Sequence, residues 1–184
     1  MRLESRRAVA LFDLARGGRL ASFRIDGVEI LVNEAEEDTG WGCYPMVPWA
    51  GRVRNARFRW EEKEIVLPPR AAPHALHGTV LDRLWNERGS GVFRCELGED
   101  WPWEGEVQSQ VQLSDSELVW RMEVYAKSEP FPVVMGWHPW FRRRLEIPGD
   151  LSVCFEAEEM YERDAAGIPS GRVQRPSSGP WDDC

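Results

Sequence analysis

The chain has 184 residues, with 23 Lys and Arg against 31 Asp and Glu, for a formal charge of -8. That length suits one domain, 1–184, with a real core. The acidic balance argues against a nucleic-acid or anionic-membrane surface, both of which need a basic face, and favours a neutral small-molecule partner.

Taken in chain order, the pattern is β. The charged start, Met1-Arg2-Leu3-Glu4-Ser5-Arg6-Arg7, leads into no signal-peptide core, and no stretch approaches transmembrane length, so a cytoplasmic location is expected. Phe23 to Ile30 alternates apolar and polar residues around Asp26-Gly27, the strongest short hairpin signal. A second pair runs from Arg57 to Trp60 and from Glu64 to Leu67. A third sets Val107, Val111 and Leu113 on one face and Gln108, Gln110 and Gln112 on the other. Its partner after Ser114-Asp115-Ser116 carries Leu118, Trp120, Met122 and Val124 on one side. Leu151 to Phe155 reads as a further short strand. Alternation of this kind implies antiparallel sheets with one buried face. With 13 prolines and 16 glycines breaking the chain, no amphipathic helical window survives. The expected fold is all-β, a large antiparallel β-sandwich. The four cysteines, Cys43, Cys95, Cys154 and Cys184, are widely spaced and form no CxxC pair, which fits reduced thiols better than a disulfide framework or zinc knuckle.

Chemistry concentrates around the histidines. His138 stands between two tryptophans in Gly136-Trp137-His138-Pro139-Trp140-Phe141, and His74 and His77 share Pro73-His74-Ala75-Leu76-His77-Gly78. Proline and glycine bracket both segments, so loops or strand ends are expected there. Imidazole titrates nearest neutrality, which suits acid–base work, although a hydrogen-bonded structural histidine is the commoner case. Ten tryptophans is a high count for this length; some must be core, and the rest are candidate ligand platforms.

Four segments in this order resemble the aldose 1-epimerase (galactose mutarotase) family. Arg52-Val53-Arg54-Asn55-Ala56-Arg57-Phe58 is similar to the family's Asn-Arg-Ile/Leu-x-x-Gly-x-Phe element, and Arg52 matches its sugar-binding arginine. Ala75-Leu76-His77-Gly78 resembles Asn-x-x-His-Gly, with His77 on the substrate-contacting histidine. His138-Pro139-Trp140-Phe141 resembles the His-x-Tyr-Phe element that carries the catalytic acid. Gly179-Pro180-Trp181-Asp182-Asp183 is similar to the element whose first Asp, here Asp182, binds sugar hydroxyls. His74 replaces the usual Asn, Gly51 the Asn before Arg52, and Ala56 the usual Gly.

The resemblance implies a galactose mutarotase-like supersandwich that lacks its C-terminal strands, with the family's glutamate base falling beyond Cys184. It implies an isomerase interconverting the α and β anomers of an aldohexose. His138 and His77 are its candidate catalytic residues. Arg52, His77, Trp140 and Asp182 are its candidate substrate contacts. Ring opening needs only proton transfers, so no cofactor or metal is expected. The alternative is a sugar-binding β-sandwich without turnover, the base being absent.

Overall fold

The computed structural model describes residues 1–145 and 157–176. Two antiparallel sheets carry most of the strands. The first is built from β1 (Arg2–Glu4), β2 (Ala8–Asp13), β3 (Arg19–Ile25), β4 (Val28–Glu29), β5 (Cys43–Met46) and β14 (Gly136–Pro139). Its order is β1-β2-β3-β5-β14, with β4 also on β3. The second has β10 (Asn86–Gly89), β11 (Val92–Glu96), β12 (Gly105–Leu113) and β13 (Leu118–Ala126) in sequential order. Three two-stranded ribbons complete the set. They are β6 (Arg52–Val53) with β9 (Ala75–Leu76), β7 (Arg57–Trp60) with β8 (Lys63–Val66), and β15 (Met160–Arg163) with β16 (Pro169–Gln174). No α-helix occurs among the described residues, and none of their segments is a helix long and apolar enough to cross a membrane.

The anticipated hairpins form. Asp26 and Gly27 turn β3 into β4 with φ of 49° and 85°, as a two-residue turn with left-handed central residues requires. In β12 and β13, Leu113 pairs with Leu118 and Val111 with Trp120, so the apolar sets face the same way. The Leu151 to Phe155 strand lies outside the described residues.

The main core lies between the sheets. Phe12 of the first sheet meets Phe93 and Trp120 of the second at centroid distances of 5.4 and 5.1 Å. Among the described residues, β13 and β14 are the outer strands of their sheets on the same side of the molecule, and Trp120 meets Trp137 across the gap at 6.1 Å. An apolar cleft of about 510 Å³, lined in part by Leu20, Leu31, Trp120, Pro139 and Phe141, opens beside them.

Strand β5 is buried along its whole length, which is why Cys43-Tyr44-Pro45-Met46 shows no alternation. Cys43 joins the inter-sheet core. Tyr44 and Met46 point the other way and pack with Leu81 in a second apolar cluster. Cys43 and Cys95 are free and buried, and burial pushes both thiols up to about 12. The other two cysteines lie outside the described residues.

Candidate active site

The site forms on the face of β5 and β14 that carries the second cluster. His138 pairs directly with Tyr44, and Trp137 with Pro45. Side chains alternate along a strand, so His138 and Tyr44 share the outer face while Trp137 and Pro45 share the core face. His138 is the third of the four residues of β14, at a strand end as the flanking proline and glycine lead one to expect. Proline at the strand's last position does not prevent pairing, because among the described residues β14 is an outer strand.

His77 arrives from the loop after β9. Its backbone N–H donates to the Gly51 carbonyl at 3.0 Å, and the Gly51 N–H donates back to His77 Nδ1 at 3.2 Å. The pair fixes the imidazole as the tautomer with its proton on Nε2. His77 has φ of 57° and Gly78 φ of 79°, and this turn runs against Val47. A Cβ at Gly78 would stand 1.9 Å from the Val47 carbonyl oxygen, so glycine is required there. Gly51, at φ of 77°, occupies a conformation that Asn also tolerates, which accounts for the exchange at that position.

The rings converge. His77 and His138 are 5.0 Å apart at 73°, and Tyr44 lies 5.9 Å from His77. His138 stacks on Tyr44 at 4.9 Å and 12°, and on Trp140 at 5.5 Å and 24°. Burial holds the His77 pKa down to about 4, helped by the charges of His138, Arg52 and Arg70. Burial also lowers His138, against a weaker opposing hydrogen bond with its own backbone, and among the described residues no other residue partners the buried His138 Nδ1. Both imidazoles are thus predominantly neutral near pH 7. Tyr44 is pushed up to about 12, chiefly by burial, so its hydroxyl stays protonated.

Arg52 sits on β6 beside this pair, its strand partner being Leu76, immediately before His77. Its guanidinium lies against Gly167 in the turn between β15 and β16. Arg54 fastens that turn through Asp164 at 2.9 Å, and Arg57 pairs with Glu64 at 2.8 Å, so these two are structural ion pairs of the charge run. His74 is structural as well. Its Nδ1 accepts from the Asn55 N–H at 3.0 Å, where Asn55 and Ala56 both have φ of 53°. Left-handed backbone at Ala56 is where glycine costs least, and alanine here carries strain of about 1 kcal/mol.

The structure thus brings together His77, His138, Arg52 and Trp140 among the expected site residues. Asp182 lies outside the described residues. Trp137 turns to the opposite face, toward Trp120, and stays exposed. Sequence reading missed Tyr44, whose only signal would have been its register opposite His138.

The stacked antiparallel sheets have the architecture of galactose mutarotase-like proteins. Solved structures with this fold include a proposed aldose 1-epimerase from Escherichia coli K12, at a TM-score of 0.79 and 21% identity, covering 96% of this chain and 61% of the other. An aldose epimerase homologue from C. elegans gives 0.76 and 15%, covering 95% and 60%. Galactose 1-epimerase from Lactobacillus acidophilus NCFM gives 0.70 and 18%, covering 95% and 57%. In sequence, the chain is 29% identical over 119 residues to the uncharacterized protein YphB of E. coli K12, covering 56% of this chain and 38% of YphB. The aldose 1-epimerase family model matches residues 3–183, and the chain belongs to that family. It spans roughly three-fifths of the length of those solved structures.

Proposed function

We propose that the protein is an aldose 1-epimerase-like isomerase that interconverts the α and β anomers of a hexose by opening and reclosing the ring. The observation that carries this reading is the convergence of His77 and His138, 5.0 Å apart, beside Arg52 and next to an aromatic face, Trp140. A cyclic aldose opens when a base removes the anomeric hydroxyl proton while an acid protonates the ring oxygen. The C1–C2 bond rotates, and reclosure on the other face gives the other anomer.

In this scheme His138 is the acid. Its lowered pKa makes the imidazolium a stronger acid but a scarcer one at pH 7, a trade that general acid catalysis tolerates. His77, held near 4, remains neutral and presents its Nε2–H to a sugar oxygen. Arg52 supplies a second, charged donor whose planar fork suits paired oxygens. Trp140 offers its face to the C–H side of the ring, and Asp182 accepts from sugar hydroxyls. The general base, which the family resemblance makes a glutamate, is not among these residues.

Polarimetry on freshly dissolved α-glucose or α-galactose tests the reading. Equilibration should be faster with the protein, and His138→Ala should lose most of the gain. Its acid limb should fall as pH rises through a midpoint below 6.5, the ordinary imidazole value, because the protonated form does the work. An unchanged rate in His138→Ala would overturn the assignment. Sugar-dependent tryptophan fluorescence without any acceleration would make the protein a sugar binder instead.

A further inference from the structure

A reacting imidazole is usually oriented by a hydrogen bond through its second nitrogen. His77 follows that rule, through the Gly51 amide. His138 has no such partner on another residue: among the described residues its buried Nδ1 meets at most its own backbone. With no hydrogen bond to another residue, ring packing is the main restraint that ties its plane to the rest of the fold. Two rings lie nearly parallel to it. Trp140 follows the strand end and is 39% exposed, so it is a poor anchor. Tyr44 is 0% exposed, lies within 12° of the imidazole plane at 4.9 Å, and sits on the strand paired with β14.

The Tyr44 ring is itself braced. Its hydroxyl donates to the Thr39 carbonyl at 3.3 Å. Arg19, also 0% exposed, lies 4.2 Å from the Trp41 ring centroid and 5.4 Å from that of Tyr44. The Arg19 guanidinium is held in turn by the carbonyls of Arg16, Asp38, Trp41 and Leu81 at 3.0, 2.7, 3.5 and 3.4 Å. No carboxylate is among its hydrogen-bond acceptors, so this cation is fixed by the backbone of three separate segments. Those contacts lock the position of Tyr44 relative to the loops on either side.

We propose that Tyr44 is a positioning residue for His138, its buried and Arg19-braced ring being the wall that fixes the imidazole plane where no other residue's hydrogen bond does. This rests on the reading of His138 as the acid, but the geometric claim is testable without turnover. Removing the wall admits water to a ring whose pKa is lowered mainly by burial, so its midpoint should move up toward 6.5. Among the described residues, the titratable rings that face His138 are His77 and Tyr44 itself, and only Tyr44 changes in the experiment.

The test compares wild type, Tyr44→Phe and Tyr44→Met, each checked for a cooperative unfolding transition. In wild type, the His138 Cε1 proton, assigned with His138→Gln, should be shifted upfield by the tyrosine ring current and show contacts to Tyr44 ring protons. Tyr44→Phe keeps the ring and should keep both the shift and the titration midpoint. Tyr44→Met should lose the shift and raise the midpoint. Where turnover is present, Tyr44→Met should lower kcat on the order of 10- to 100-fold with KM changed less than about two-fold, and Tyr44→Phe should restore it. A wild-type His138 resonance without an upfield shift overturns the proposal even if Tyr44→Met does not fold. So does a folded Tyr44→Met with the wild-type midpoint. Intact shifts in a protein with no mutarotation at all would leave Tyr44's role standing and remove the functional reading instead.

Discussion

Trp137 and Trp140 flank the same histidine and are almost equally exposed, at 40% and 39%, yet they belong to different parts of the molecule. Trp137 shares a face with Pro45 and reaches Trp120 of the opposite sheet. Trp140 stacks on His138. The outer face of β14 and β5 holds the imidazole, while the inner face holds the two sheets together. Two neighbouring aromatic residues thus divide by strand parity, one meeting the opposite sheet and the other the imidazole, and exposure alone does not separate them.

The sharpest test of that division is a pair of alanine substitutions. His138→Ala should reduce mutarotation by about 100- to 10,000-fold while leaving the unfolding midpoint close to wild type. Trp137→Ala should do the reverse. It should cost about 2 kcal/mol, less than for a fully buried tryptophan, with little effect on the titration of His138. Urea unfolding and polarimetry on both proteins read the contrast, and equal losses of activity would break it.

A large structural effect is expected on the outer face at Gly78. Gly78→Ala combines a Cβ clash with the Val47 backbone and a left-handed φ, for a loss of about 3 kcal/mol in denaturant unfolding. A mild effect there would mean that the His77 turn relaxes freely.

The acid side of the stability curve gives a smaller signal. His77 is held near 4 in the folded protein against an ordinary 6.5. Between those values the unfolded chain binds more protons, so stability is full above about pH 6.5 and declines as pH falls toward 4. His77→Gln should flatten that part of the curve, seen as a smaller difference between thermal midpoints at pH 7 and pH 5. The smallest effect belongs to the solvated ion pairs. Arg54→Ala breaks the contact to Asp164 and should leave the unfolding midpoint unchanged within error.

Where side chains alternate against one core, the strands were legible. The Asp26-Gly27 hairpin, the β7–β8 pair and the long β12–β13 pair follow directly from period-two patterning and turn chemistry. Strand β5 was not legible, because burial on both faces removes alternation and a proline interrupts it. The positions of His77, His138 and Arg52 came from motif resemblance, and their convergence needed long-range pairing of β14 with β5 and β6 with β9. Tyr44 carries no local mark at all. Its role arises only from the residue that register sets opposite, which no window along the chain contains. The histidines' bland reading holds for His74, whose neighbour Asn55 needs its Nδ1.

The reciprocal link between Gly51 and His77 has a practical consequence for solution work. The Gly51 amide donates to a nitrogen lone pair that disappears when His77 takes up a proton. Its backbone 15N–1H resonance is therefore a built-in indicator of one imidazole's charge, and its solvent exchange should quicken on acidification. A single peak would report when His77 changes state, with no label added near the site.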